Sequence, residues 1–513
     1  MNIGITASRY SAKGDELLAT GRLDEAKAAY RQALAHDPRD AQARFGLDTL
    51  LERSRTTWPN ADLRSLLLQA YADEYANWDA IGGCASNQIE VGWPQDNNLE
   101  ALAADQLLLE FLRKSLNRDG ALERKLLALR RTTANALLIP NGSPLGVVTL
   151  AEAIADQAWL NEYIWPDDPS IADGPAAAMF RPPPTPRPDT VEEQRLAVGI
   201  PEIAPITNHT SLSVAAMYED NPYPRWSHLP RRPVVDICAA LMRDFPHAQA
   251  VVSSGEPLNI LMPGAGTGQH PLTLAASYAN AQVTCVDLSR ASLAYGKRMA
   301  TRYGFDNIEF LRGDILDLPK LNRTFDHAEC VGVLHHMADP KAGLLAISAV
   351  LRPGAFLRIG LYGESARRAV VKARRAIESA GLPATLQGLR EFRRRVMTGE
   401  WRRLRQLMEW EDFWSASLLR DLCFHVQEHR FTVSRLRAFL EGSGLRFLSF
   451  EFNVGASQRS DNGDNPLALY AARFPNERTM SDLVNWEQLE REKFNLFPGY
   501  AFVCQKEILA RLY

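Results

Sequence analysis

The chain has 513 residues, 46% of them apolar and 23% charged, with a formal net charge of −3. That length exceeds one ordinary core and sets an expectation of two or three domains, while the near-neutral balance removes any global argument for nucleic acid or an anionic membrane. Six scattered cysteines without a C-x-x-C pair, no basic-then-apolar leader and no apolar run of about 18 residues predict reduced thiols, no membrane span and a cytoplasmic location.

Residues 1–165 read as helix throughout. In "GDELLATGRLDEAKAAYRQALAHDP", small residues at Gly14, Ala26 and Ala33 let two antiparallel helices approach, Tyr30 fills the gap between them, and Pro38 stops the second. This stretch resembles one tetratricopeptide repeat, a helix pair of roughly 34 residues. One repeat cannot bury its own face, so the expectation is a short repeat array merging into a helical domain. Two roles fit equally: a groove that docks a protein or peptide, and a scaffold or homodimer surface.

From Pro166 to about Pro205 the sequence turns proline-rich and loses both periods, as a linker or a surface strap does. Residues 206–513 are the expected second domain. Strand–helix alternation begins near residue 255 and implies a mostly parallel sheet.

The first strand, "LNILM", runs into "PGAGTGQH", whose glycines are Gly264, Gly266 and Gly268. A dinucleotide fingerprint needs its third glycine one place later, where Gln269 stands, and a Walker A loop needs G-K-[ST], which is absent. The second strand, "AQVTCVDLS", ends in Asp287, whose carboxylate can accept both hydroxyls of a ribose held against the first turn. The third, "NIEFLRGDILDLP", ends with Asp314 and Ile315; Asp314 suits an adenine amino group, and Leu288 with Ile315 suits the ring faces. A fourth strand, "FDHAECVGVLHHM", and a fifth, "LRPGAFLRIGLY", follow.

Residues 255–362 resemble a class I S-adenosylmethionine-dependent methyltransferase, on the glycine turn, Asp287, "GDILDLP", "VLHHMADP" and "LRPGAFL" in order. The resemblance implies a Rossmann-like seven-stranded sheet, here preceded by an all-α domain, with S-adenosylmethionine above the carboxyl ends of strands one to four. "LRFLSFEF" and "GYAFVCQK" then become strands six and seven, a closing antiparallel hairpin. The place two before the first glycine, usually acidic in that family, is Met262.

Two segments are expected to roof the site. In "MYEDNPYPRW", Tyr218 and Arg225 would reach the methionine end of the cofactor, Arg225 by pairing with its carboxylate. The long insertion 363–440 is the expected helical cap; span 362–405 holds twelve Arg or Lys against four Glu, either a solvated helix face paired with acids or a wall selecting an anionic acceptor. In "CFHVQEHRF", His425 and His429 would share one face if helical, as general bases or, with Glu428, as an incomplete metal set. His335 and Tyr362, at the ends of strands four and five, complete the catalytic candidates. The acceptor is unidentified: a protein or peptide docked by the helical domain, or a small anionic metabolite. The alternative is a cofactor-binding scaffold without turnover.

Overall fold

Gly14 and Gly46 both lie against the ring of Tyr30, where a Cβ on either would collide with it. The computed structural model describes residues 2–138, 144–171, 174–183, 188–249, 257–452, 465–494 and 496–508. In it the helices Asn2–Ala19, Leu23–His36 and Ala41–Glu52 close around that ring, with Ala26, Tyr30 and Ala33 fully buried. Helices continue to Leu145–Leu160, so the helical reading of this region holds.

The chain divides into two compact units, and neither is continuous in sequence. The first comprises Met1–Arg187, Arg225–Pro233 and Ala380–Leu422; the second comprises Pro188–Pro224, Val234–Ser379 and Cys423–Tyr513. Residues 380–422, expected within a cap on the second domain, thus fold with the first unit. The cause is a set of specific bonds. Arg393 reaches the Glu123 carboxylate at 2.9 and 3.0 Å, with both side chains 2% exposed. Arg390 donates to the Tyr163 carbonyl and lies 2.7 Å from Asp167, and the Ala416 amide donates to the Asn161 carbonyl.

The expected linker is shorter than its composition suggests. Residues 172–173 and 184–187 of it lie outside the described residues. Pro188–Val198 is a helix, started by a proline whose missing N–H costs nothing at that position. Its Glu193 and Asp189 pair with Arg298 at 2.8 and 3.5 Å.

The second unit holds seven strands: β1 Leu258–Pro263, β2 Ala281–Asp287, β3 Ile308–Arg312, β4 Phe325–Val331, β5 Leu351–Tyr362, β6 Leu445–Phe450 and β7 Gly499–Lys506. Their order is β3-β2-β1-β4-β5-β7-β6. The first five pair in parallel, and β7 is antiparallel to both β5 and β6. This is the Rossmann-like seven-stranded class that the resemblance implies. The last strand in sequence sits inside the sheet, with β6 at the edge. Successive residues such as Phe356 and Leu357 of β5, which point to opposite faces, are both buried, as strands covered on both faces require.

Because a buried ion pair broken on one side leaves an uncompensated charge, Glu123→Ala is expected to cost about 3–5 kcal/mol. The double variant Glu123→Leu, Arg393→Met is expected to recover most of that loss. Denaturant unfolding of the three proteins checks both; an unchanged midpoint for Glu123→Ala would remove the pair from this role.

Candidate nucleotide crevice and neighbouring histidine cluster

Strand order reverses between β1 and β4, and the turn after β1 opens at that switch point, where open α/β sheets hold their ligands. Gly264, Gly266 and Gly268 have φ of +79°, +54° and +84°, in the left-handed region that only glycine enters freely. Space adds a second constraint. A Cβ on Gly266 would stand 2.8 Å from the Tyr223 carbonyl oxygen, and one on Gly268 3.0 Å from the Gly296 Cα. Gly268 then begins the helix Gln269–Ser277, so unpaired amides of its first turn face the crevice.

Asp287, at the end of β2, reaches back to this turn. One carboxylate oxygen accepts the Gly266 amide at 2.8 Å, the other the Ser289 amide at 2.9 Å. Burial, with a smaller push from Glu219, raises its carboxyl above the usual range. Each oxygen has two lone pairs, so both ribose hydroxyls of a nucleoside fit alongside these amides. Glu219 itself accepts the amides of Arg290 and Ala291, both at 2.8 Å, and so caps the helix Arg290–Tyr303 from outside.

The segment 217–224 is fastened across the turn. The Thr267 amide donates to the Tyr223 carbonyl at 3.2 Å, and its hydroxyl donates to the Pro224 carbonyl. Tyr218 stands between Tyr223, with ring centroids 6.1 Å apart, and His425, at 5.9 Å. Arg225 is placed differently from expectation. It belongs to the first unit, where its guanidinium lies 3.5 Å from Glu162. Asp314 is 4% exposed and caps the following 3-10 helix by accepting the Leu316 amide at 3.0 Å. Ile315 is buried with the sheet core, and Leu288 is half-buried.

Beyond β4 and β5 the catalytic candidates do come together, though not on a helix. The helix Ala416–Phe424 ends one residue before His425, so the shared helical face expected for His425 and His429 is absent. Backbone bonds align the segment instead: His429 N–H donates to the His335 carbonyl at 2.7 Å and Phe431 N–H to that of Tyr362 at 2.9 Å. His335 lies tilted against Tyr362 with ring centroids 3.8 Å apart and edge-on to His336 at 4.3 Å, and His336 stacks on His425 at 3.6 Å. The Nδ1–H of His336 donates to the Gln427 carbonyl, while Nδ1 of His425 accepts the Gln427 amide. His335 is fully buried; neither ring nitrogen has a hydrogen-bond partner among the described residues. Burial foremost, then the neighbouring His336 and Arg367, hold its pKa well below the ordinary value, so the ring is neutral.

Glu428 is engaged by arginines through one of its carboxylate oxygens. Its buried carboxylate pairs with Arg367 and, at 3.4 Å, with Arg374, and the Arg367 guanidinium lies 3.9 Å over the Tyr362 ring. Much of the basic stretch is likewise spent on internal acids: Arg394 and Arg395 bind Glu391, each at 2.7 Å. The solvated, paired face is therefore what these arginines form. Arg367, Arg374, Glu219 and Thr267 escaped the sequence reading, because their partners lie some twenty or more residues away and no local period marks them.

A glycine turn at the switch point, with a β2 acid bonded to it, is the arrangement of a nucleoside-binding crossover. The family model described as "Methyltransferase domain" matches residues 260–354. An uncharacterized protein of Synechococcus is 35% identical over 226 residues, covering 40% of this chain and 52% of that protein. A demethylmenaquinone methyltransferase of Clavibacter sepedonicus is 37% identical over 95 residues, 18% of this chain and 37% of that one. The matched region thus spans about half or less of these relatives' own length. Among solved structures, PKMT2 from Rickettsia typhi in complex with AdoHcy aligns at 16% identity and a TM-score of 0.40, covering 52% of each chain. The second unit carries a class I S-adenosylmethionine-dependent methyltransferase domain, and S-adenosylmethionine is the cofactor of that class.

Asp287→Asn is expected to weaken S-adenosylhomocysteine binding by about 1.5–3 kcal/mol, the range for hydrogen bonds to a charged group. Affinity of the parent chain should also fall on acidification, at a higher pH than for an ordinary exposed aspartate, because the raised carboxyl takes up its proton and loses acceptor strength. Calorimetric titrations between pH 8 and 4.5 check both, with the Asn variant expected to stay flat. Equal affinity of variant and parent would refute the ribose assignment.

Proposed function

We propose that this chain transfers a methyl group from S-adenosylmethionine to a small acceptor held beside Tyr362 and His429. The observation that carries the reading is the Asp287 carboxylate joined to the Gly266 amide at 2.8 Å beneath the switch point. When bound, S-adenosylmethionine supplies a methyl carbon activated by positive sulfur. The chain's part is alignment and exclusion of water. Gly264, Gly266 and Gly268 let the backbone approach, Asp287 fixes the ribose, and Asp314, Leu288 and Ile315 border the base. Tyr218 and Tyr223 close over the turn.

On the acceptor side, Tyr362 and His429 are half-exposed, whereas His335 and His425 are buried. Contact with the acceptor therefore falls to Tyr362 and His429. His335 acts through Tyr362, whose ring it supports from 3.8 Å, and His425 supports Tyr218 in the same way.

A second reading makes the acceptor a protein or peptide docked by the first unit. The close packing of the first three helices around Tyr30 supports it. The absence of an acid at Met262, which is buried, favours a binding scaffold without turnover.

Incubating the full chain with methyl-labelled donor and a cell extract, then sorting the label by size, separates the three. Label in the low-mass fraction is the expected result. Label on protein supports the docked acceptor, and tight donor binding with no label in either fraction supports the scaffold.

A further inference from the structure

A cavity of about 680 Å³ opens next to the histidine cluster, lined by Lys341, His429, Arg430, Phe431, Arg435 and Phe439 among others. It is broadly open to solvent, and the acids Asp339 and Glu441 also line it. Its inner wall is the short segment already bonded to the cluster: His429 to the His335 carbonyl, Phe431 to that of Tyr362. Arg430 lies between those two residues. The cavity thus borders the same chain ends from which Tyr362 and His335 project.

The polar groups of the lining differ in how they are engaged. Asp339 accepts the amides of Lys341 and Ala342 at 2.9 and 3.2 Å, capping the helix Pro340–Ala349. The Lys341 ammonium donates to the carbonyls of Phe439, at 2.6 Å, and of Glu441. Arg435 donates to the Arg430 carbonyl at 3.0 Å and lies 3.5 Å from Glu364. The Arg430 guanidinium, half-buried, has no ion pair or side-chain hydrogen bond among the described residues. Below it, Phe431 and Phe439 meet edge-to-face with centroids 5.3 Å apart.

A half-buried guanidinium without an acid is a recognition group for an anion, and its planar fork matches one carboxylate bidentately. We propose that this cavity takes the methyl acceptor by a carboxylate bound to Arg430, with an aromatic or planar apolar body against Phe431 and Phe439. Such a fork also fits a phosphate, and Arg435 is largely exposed, so a carboxylate and a phosphate probe are set against each other. The inference rests on the methyltransferase reading and narrows its acceptor to an aromatic carboxylic acid.

The test uses the full chain saturated with S-adenosylhomocysteine. Three probes are titrated by calorimetry: 4-hydroxybenzoate, its neutral counterpart 4-hydroxybenzyl alcohol, and phenyl phosphate. The benzoate is expected to bind at least about tenfold tighter than the alcohol, the scale of one charge-assisted contact, and tighter than the phosphate. Arg430→Gln is expected to abolish the preference for benzoate over alcohol and leave S-adenosylhomocysteine affinity unchanged. Equal binding of benzoate and alcohol, a preference for phosphate, no binding of benzoate, or a preference that survives in Arg430→Gln would each overturn the proposal alone. Failure of S-adenosylhomocysteine to bind the parent chain would instead overturn the methyltransferase reading, and this proposal with it.

Discussion

The hydrogen bond from the Gly266 amide to the Asp287 carboxylate ties the end of β2 to the turn after β1. It joins two parallel neighbours at the point where the sheet's order reverses, so the acid is held by the same backbone that must approach a nucleoside. The turn can serve this way only while its residues stay in the left-handed region, and the strap through Tyr223 and Pro224 fits over it only because Gly266 carries no Cβ. Crevice, strap and acid are one construction. Its electrostatic consequence is a half-buried carboxylate whose proton affinity is raised by desolvation, ready to gain from hydroxyl donors that replace lost water.

A second construction lies beside the first. Glu428, buried between Arg367 and Arg374, fixes the segment that follows the helix Ala416–Phe424. Arg367 in turn covers one side of the Tyr362 ring, and His335 packs against the same ring. Tyr362 is thus clamped between a cation and a neutral imidazole, which orders a half-exposed phenol without a covalent tether. The neutral state of His335 follows from its surroundings: charging it would place a cation next to Arg367 in a water-poor space.

The sheet was legible because its strands are short apolar runs closed by turns, and with it the place of Asp287 at the end of the second strand. Tyr30 was legible from the small residues around it. Unit boundaries were not: the contacts that assign residues 380–422 to the first unit, above all Arg393 with Glu123, join positions some 270 residues apart. The arginine-rich stretch left two readings open, a paired solvated face and an anion-binding wall; the pairs of Glu391 with Arg394 and Arg395 lie at helical spacing, whereas that of Glu123 with Arg393 carries no local mark. His425 and His429 do not share a helical face, because the helix ends at Phe424 and main-chain bonds from His429 and Phe431 to the carbonyls of His335 and Tyr362 set the segment instead. Arg430 passed unnoticed; its significance lies in a missing partner, which a sequence does not display.

The most direct measurement is a crystal structure of the full chain with S-adenosylhomocysteine. The account predicts both ribose hydroxyls within hydrogen-bond distance of the Asp287 carboxylate, about 2.5–3.0 Å between oxygens, with the Gly266 amide still bonded to it. A ligand lying elsewhere, or a ribose turned away from Asp287, would contradict it.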